Sequence, residues 1–424
     1  MIPSLRVGKR RPARRRLRVL HIGKYYPPHM GGMETHLQSL CEGLQKHVDV
    51  RVLVSSRERG YTVERNNGVQ VTRLSTAATI AGAPICPSMV ALIRKSDADI
   101  VHMHLPNPAA VLAYLASGSK AKLVVSYHSD VIRQWALDVL FKPFLFSTLN
   151  RASSILAATP NYIESSPVLS RYRSQCRIVP YGIPLWEDHA NMDTEVERLR
   201  DEYGPKLVVS VGRLVYYKGF DTLISAMRSV RGRLLIVGDG PMRKVLEAKV
   251  AQLGLSDRVC FMGGVDEVTP FCRAADVFVL ASVARSEAFG IVQLEAMACG
   301  TPVVNTSLDS GVPFVSRDGE SGITVPPADS AALATAINKL LDDRELRESY
   351  GRAARERVER EFSREQMIAS VLSVYEDVLA ETAPRSTGKE AKKHVSIRRR
   401  ATHATARRLS PLRLFLSSVP RNEP

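Results

Sequence analysis

Short runs of aliphatic and β-branched residues alternate along this chain with longer stretches whose apolar positions recur every three or four residues. In the first half the short runs are LRVLHIG (17–23), VDVRVLVSS (48–56), VQVTRLS (69–75), DIVHMH (99–104), KLVVSYH (122–128) and SSILAAT (153–159). Most are apolar at nearly every position rather than at alternate ones, which is the pattern of strands covered on both faces. METHLQSLCEGLQKH (33–47) is the clearest helical pattern between them. The second half starts the same program again with KLVVSVGRL (206–214), RLLIVGDG (233–240), RVCFMGG (258–264), DVFVLAS (276–282) and TPVVNT (301–306). Such alternation predicts parallel sheets with helices on both sides.

Each half opens with a strand that runs into glycine, VLHIGKYYPPHMGG and then VVSVGRLVYYKGF. The expected fold is α/β, with two doubly wound Rossmann-like domains facing each other across a cleft. Residues 17–185 form the first domain, 186–204 a linker where the pattern breaks, and 205–360 the second domain. A helical stretch at 361–380 closes the fold, leaving residues 1–16 and 381–424 as basic extensions. Ligands of such sheets bind beyond the carboxyl ends of the strands. The chemistry is therefore expected in loops that follow strands in both halves.

Charge changes the picture of the ends only. The formal net charge of the 424 residues is +16. Residues 1–18 hold eight Lys and Arg and no acid, and residues 385–424 hold eleven against Glu390 and Glu423, which leaves the body near neutral. The tails read first as solvated, disordered extensions. Their second reading is peripheral contact with an anionic membrane, where each Lys or Arg contributes about 1 kcal/mol; LRLFLSSV (412–419) would add a short apolar anchor. Nucleic acid is not expected as a partner, because no aromatics interleave with the charges. No segment approaches the ~20 apolar residues of a membrane-spanning helix. The six scattered cysteines offer neither a disulfide framework nor a zinc site. The expected location is the cytoplasm, with peripheral contact at the inner face of the plasma membrane.

Gly31-Gly32 follows the first strand and stands directly before a helix, where paired glycines let backbone approach a phosphate and the helix start offers free N–H groups. A plain turn is the alternative. Arg213 and Lys218 share the loop GRLVYYKG, and two cations at a strand's carboxyl end can neutralise a diphosphate without a metal. A solvated basic loop is the alternative here. His128 ends the strand KLVVSYH, followed by Asp130, and is expected to face the cleft and bind a hydroxyl or developing charge. His102 and His104 share a strand face but show no third ligand, so they read as structural. Asp97-Ala-Asp99 has the form of a metal-carrying D-x-D, yet it lies at the start of its strand, the wrong end for a site. Glu287 and Glu295 in SEAFGIVQLEAMACG have the look of an acid/base pair. Placed on elements they separate: Glu287 falls in the loop after DVFVLAS, and Glu295 about one turn inside the next helix.

Taken together these residues resemble glycosyltransferase family 4, retaining enzymes of the GT-B fold that use nucleotide-sugar donors. The matching pieces span roughly residues 17–380 and include PPHMGGMETHL, ADIVHMHLP, SYHSD, VGRLVYYKG, LLIVGDGP, RVCFMGGV, SEAFGIVQLEAMACGTPVV and DGESGITVPP. The resemblance implies that Arg213 and Lys218 bind the donor diphosphate and that Gly32, beside Gly31, faces a phosphate. It implies Glu287 at the donor sugar, Glu295 at the ribose, His128 beside the transferred sugar, and backbone contacts from Phe289, Gly290 and Ile291. Val265 falls where the nucleobase packs. No metal or other cofactor is implied, only a nucleotide-diphosphate sugar as donor substrate.

The implied activity is retaining transfer of a hexose, with mannose favoured, to a glycan or lipid-linked acceptor in polysaccharide or lipopolysaccharide assembly. A sugar-nucleotide epimerase or hydrolase of the same fold is the alternative enzyme. A basic-tailed binding protein for membrane or nucleic acid is the alternative without catalysis. The stretch 131–149, VIRQWALDVLFKPFLFSTL, follows His128 and is expected as two helices split at Pro143, serving core packing or an acceptor-side surface.

Overall fold

The structure is a computed structural model that describes residues 15–29, 31–56, 60–80, 82–130, 135–185 and 190–380. The expectations for the tail beyond residue 380, for most of the N-terminal extension and for residues 186–189 of the linker lie outside these residues.

The first half contributes strands β1 (Arg18–Ile22), β2 (Asp49–Ser56), β3 (Thr62–Asn66), β4 (Val69–Ser75), β5 (Ala78–Ile80), β6 (Ala83–Ile85), β7 (Ile100–Leu105), β8 (Lys122–Tyr127), β9 (Ala152–Ala157) and β10 (Cys176–Ile178). Eight of them form one sheet in the order β10-β9-β8-β7-β1-β2-β4-β3, while β5 and β6 make a separate hairpin. All neighbours in the large sheet run parallel except the edge strand β3, which is antiparallel to β4. The second half contributes β11 (Leu207–Val211), β12 (Arg233–Val237), β13 (Val259–Gly263), β14 (Val277–Val279), β15 (Val303–Thr306) and β16 (Gly322–Val325). They form a parallel sheet in the order β13-β12-β11-β14-β15-β16. The architecture is two doubly wound α/β sheets.

The strands that escaped the sequence reading are β3, β5, β6, β10 and β16. Each is short or lies at an edge, and β3, TVERN, is exposed along most of its length. Such strands need no apolar run, since only their backbone is paired.

Pro143 does not split its segment. Trp135–Arg151 is one helix with Pro143 inside it. Proline removes one intrahelical bond, and burial of Leu145 and Leu149 in the first core holds the turn that follows it.

After the helix Arg344–Glu361 the chain crosses back, and its last described helix, Arg364–Ala380, packs on the first half against the helix Gly32–Leu44. Met367, Ile368, Val371, Val374, Tyr375 and Val378 are buried there with Leu37, Leu40 and Val52. A Cβ on Gly43 would lie 1.8 Å from Ile368 Cδ1, so the two helices meet at van der Waals distance only over a glycine.

Candidate active site

The second sheet reverses its strand order between β11 and β14, and the loops leaving two such neighbours open the crevice in which doubly wound sheets bind ligands. After β11 the chain makes a single 3-10 turn, Tyr216–Lys218, ended by Gly219 at φ 67°. A Cβ on Gly219 would sit 1.9 Å from the Ala281 carbonyl oxygen, so glycine is what lets this turn close on the loop after β14. The Val283 N–H donates to the Tyr217 carbonyl at 2.8 Å and ties the two loops together.

This closure joins Lys218 and Glu287, which the sequence reading assigned to separate parts of a ligand. Lys218 Nζ lies 2.5 Å from Glu287 Oε2, with the two side chains 12% and 10% exposed. Ser282 Oγ donates to the same carboxylate oxygen at 3.0 Å. Burial pulls the Lys218 ammonium toward neutrality, but the charge and hydrogen bond of Glu287 outweigh it and hold its pKa above the ordinary value. The site therefore keeps an oriented, charged lysine. Arg213, in the same loop, is solvent-exposed.

Glu295 stands in the first turn of the helix Val292–Ala298. It keeps partial exposure, yet the surrounding protein pushes its carboxyl up to about 7, with Lys218 pulling the other way. Glu287 is paired with Lys218 and Ser282, and neither contact involves Glu295, which argues against a mutual acid/base dyad. Between them Gly290 adopts φ 74°, and a Cβ there would lie 2.6 Å from Leu280 Cδ2. The Phe289 ring is buried against Tyr181, centroids 4.6 Å apart, so Phe289 has only its backbone to offer a ligand. Gln293, fully buried on the same helix, donates to the Phe289 carbonyl at 3.2 Å and accepts from Asn305 at 2.9 Å. Ile291 and Val265 are partly buried at the edge of the second core.

On the first-half side, Gly31 caps the helix Gly32–Leu44 with an extended backbone. The Glu34 carboxylate folds back over it, 2.3 Å from where a Gly31 Cβ would be, while Gly32 faces open space. Burial raises the pKa of Glu34, against its own backbone N–H and Lys24. The helix start is therefore shared between a built-in acid and the open face at Gly32. The acid was a signal available in the sequence, two residues past the glycines.

The His128 ring does not face the cleft as expected. It is 5% exposed and stacks on His104 at an interplanar angle of 11°. Its Nε2 lies 3.0 Å from His104 Nδ1 and its Nδ1 2.5 Å from the Tyr181 hydroxyl. Burial lowers its pKa to about 4, so the ring is neutral with both nitrogens committed to the interior. The loop that follows supplies the polar contact instead. Asp130 accepts from the Tyr127 and Ser166 hydroxyls at 2.9 and 2.8 Å, and Arg285 Nη2 approaches its other oxygen at 3.6 Å. Arg285, two residues before Glu287, also donates to the Ser165 carbonyl at 2.8 Å and the Asp309 carbonyl at 3.0 Å. This link between the two halves was not anticipated, because its partners are 120 residues apart in sequence.

Asp97 and Asp99 lie at the amino end of β7, opposite the site. Arg18 and Arg51 pair with Asp97, and the Arg18 N–H donates to Asp99 at 2.9 Å. They clamp strand ends. His102 and His104 are buried, and the third histidine that the sequence did not show beside them is His21 of β1, whose Nδ1 lies 3.1 Å from His104 Nε2. Among the described residues no helix is long and apolar enough to cross a membrane.

Comparison with known proteins gives a consistent picture. Residues 30–186 match the family described as Glycosyltransferase Family 4, and residues 191–357 the family described as Glycosyl transferases group 1. The chain is 32% identical over 376 residues to the O-antigen chain mannosyltransferase C of Escherichia coli, covering 86% of this chain and 99% of that protein. It is 33% identical over 353 residues to the D-rhamnosyltransferase WbpZ of Pseudomonas aeruginosa, covering 82% and 92%. Sucrose-phosphate synthase from Thermosynechococcus elongatus superposes with a TM-score of 0.73 at 26% identity, covering 87% of this chain and 100% of that one.

Proposed function

This chain belongs to the family 4 (group 1) glycosyltransferases, and from that membership we propose that it transfers a manno-configured hexose from a nucleoside diphosphate to a glycan or lipid-linked acceptor. The setting is the assembly of a cell-surface polysaccharide, and the transfer retains the anomeric configuration without a bound metal. The observation that carries the reading is the meeting of Lys218 and Glu287 at the carboxyl ends of β11 and β14, with Arg213 in the same loop as Lys218.

The sugar is argued from the two relatives. One is named for mannose and the other for D-rhamnose, which is 6-deoxymannose, so both sugars share the axial 2-hydroxyl. Arg213 and Lys218 carry the charge that the departing diphosphate develops, a role for fixed cations in a partly dry site. Glu287, held by Lys218 and Ser282, accepts from sugar hydroxyls, and Glu295 accepts from the ribose. Retention follows from attack on the face that the diphosphate leaves, with a phosphate oxygen taking the acceptor's proton. Two side-chain cations supply the neutralisation a divalent ion would otherwise provide, while Asp97 and Asp99 are committed to arginines elsewhere.

The acceptor is met at an anionic membrane. Basic residues at both ends of the sequence and exposed Leu140 and Phe144 on the helix Trp135–Arg151 support this reading.

Thermal shift with GDP-mannose, GDP-D-rhamnose, UDP-glucose and ADP-glucose tests the donor, since a ligand of the folded state raises its melting temperature. GDP-linked manno sugars are expected to stabilise the protein most. Stabilisation by none of the four, together with unchanged behaviour of Lys218→Ala, would sink the proposal. Conversion of donor without any transferred product would point instead to an epimerase or hydrolase.

A further inference from the structure

The first sheet holds a second concentration of titratable groups, whose rings the site described above does not use. His21 on β1, His102 and His104 on β7 and His128 just beyond β8 are all buried. Their ring nitrogens meet in sequence. Starting from the C-terminal helix, the Tyr375 hydroxyl lies 3.3 Å from His21 Nε2. His21 Nδ1 is 3.1 Å from His104 Nε2, and His104 Nδ1 is 3.0 Å from His128 Nε2. His128 Nδ1 ends this arm 2.5 Å from the Tyr181 hydroxyl. On the other side the Tyr375 hydroxyl is 2.6 Å from His102 Nδ1, and His102 Nε2 is 2.8 Å from Ser126 Oγ.

A neutral imidazole has one proton for two nitrogens, so it donates on one side and accepts on the other. Burial keeps all four rings neutral near pH 7. A phenol also has one proton, so the choice at each member dictates the choice at the next. Two patterns satisfy every contact and also give the buried Tyr375 proton an acceptor: all four histidines protonated on Nε2, or all four on Nδ1. In the first, Tyr181 donates to His128 and His102 donates to Ser126; in the second, both end contacts reverse. A phenol is a stronger donor than a serine hydroxyl, which favours the Nε2–H pattern.

A metal is the competing explanation, because ring nitrogens of His21, His102 and His104, and also of His36, His104 and His128, lie within 4.8 Å of one another. The rings of His102 and His104 are stacked at 19°, however, and those of His104 and His128 at 11°. Nearly parallel rings aim their lone pairs side by side rather than at one point. Each nitrogen of His21, His102, His104 and His128 also already faces a partner of complementary donor or acceptor character, which leaves His36 as the ring of the two groups with a nitrogen to spare.

We propose that Tyr375 is a positioning residue for His128: by joining His21 to His102 it locks the tautomers of the four histidines together and holds the His128 loop against the cleft. The functional part rests on the reading of that loop as the wall beside the transferred sugar.

Nitrogen NMR of the full-length protein labelled at histidine tests the lock directly, with Tyr375→Phe and Tyr181→Phe as variants that keep both rings. The wild type is expected to show the Nε2–H form at all four positions. Tyr375→Phe is expected to shift the resonances of His104 and His128, neither of which it touches, and to lower kcat several-fold with KM for GDP-mannose unchanged. Tyr181→Phe is expected to move all four histidines together toward Nδ1–H. Changes confined to His21 and His102 in Tyr375→Phe, mixed tautomers in the wild type, or a stoichiometric transition metal in the purified protein would each overturn the proposal. Coupled tautomer shifts with unchanged kcat would uphold the lock and remove instead the reading of the His128 loop as a wall of the cleft.

Discussion

The two sheets bury polar groups by opposite means. At the carboxyl end of the second sheet, Lys218 keeps its charge because Glu287 is its partner. In the first sheet, four histidines and two tyrosines are neutral, and hydrogen bonds alone satisfy them. A buried charge pair fails when either partner is lost, whereas a neutral network fails when any member gains a charge. The first arrangement suits a site that must receive a diphosphate. The second suits a scaffold that holds a loop still.

That contrast can be broken at its charged end first. Lys218→Ala leaves Glu287 nearly buried without its cation, and turnover is expected to fall roughly 10²–10³-fold, with a stability loss on the order of 3 kcal/mol. Arg213→Ala is expected to lower turnover while leaving the melting temperature unchanged, because Arg213 is exposed. Kinetics and thermal melts on the two variants check this, and equal destabilisation by both would erase the distinction.

Acid tests the neutral end. Burial places the His128 pKa at about 4 and the His21 pKa at about 3 in the folded chain, against an ordinary value of 6.5 in the unfolded one. Between these limits the unfolded chain binds more protons, so the histidines' contribution is present above pH 6.5 and is lost as the pH falls toward 4. Melting temperatures are expected to drop steeply across that window. Tyr375→Phe, which leaves one ring nitrogen of His21 and one of His102 without their partner, should start from a lower value.

A smaller effect belongs to Glu295, whose carboxyl is held up to about 7. Its ionised form accepts ribose hydroxyls best, so donor affinity is expected to rise as the pH passes upward through about 7. Titration calorimetry of Glu295→Gln should find weaker binding that no longer changes over that range. The smallest effect is expected from Arg285→Ala. It removes the contacts to Ser165 and Asp130 that join the two walls of the cleft, and should raise KM for the donor a few-fold with little change in stability. A loss as large as that of Lys218→Ala would mean that Arg285 itself contacts the substrate.

The site was legible wherever a residue's role follows from its place on a local element. Lys218 and Glu287 fall in loops after apolar runs, Glu295 falls on the first turn of a helix, and Asp97-Ala-Asp99 falls at the wrong end of a strand. It was not legible where a role depends on what lies across the fold. His102 and His104 looked unaccompanied because His21 precedes them by some 80 residues and shares only the sheet. Tyr375 sits 354 residues from His21, and nothing in the pattern of the helix Arg364–Ala380 shows that one of its buried faces carries a hydroxyl to a histidine. His128 was expected in the cleft because it ends a strand, yet stacking on His104 and the Tyr181 hydroxyl turn its ring inward. Pro143 was expected to break a helix that tertiary burial of Leu145 and Leu149 keeps whole.

Sequence by itself determined the alternation of buried strands and helices, the restart at mid-chain, the loops that carry Arg213, Lys218 and Glu287, and the family motifs that run through both halves. These depend on periodicity and on neighbours a few residues apart, which a chain displays before it folds. Tertiary structure alone decided that Lys218 spends its charge on Glu287, that Arg285 reaches across to Asp130, and that four histidines become one hydrogen-bonded line. Those outcomes depend on which nitrogen or oxygen lies within about 3 Å of another, a distance that parallel strand pairing and the returning C-terminal helix set only when the whole chain is packed.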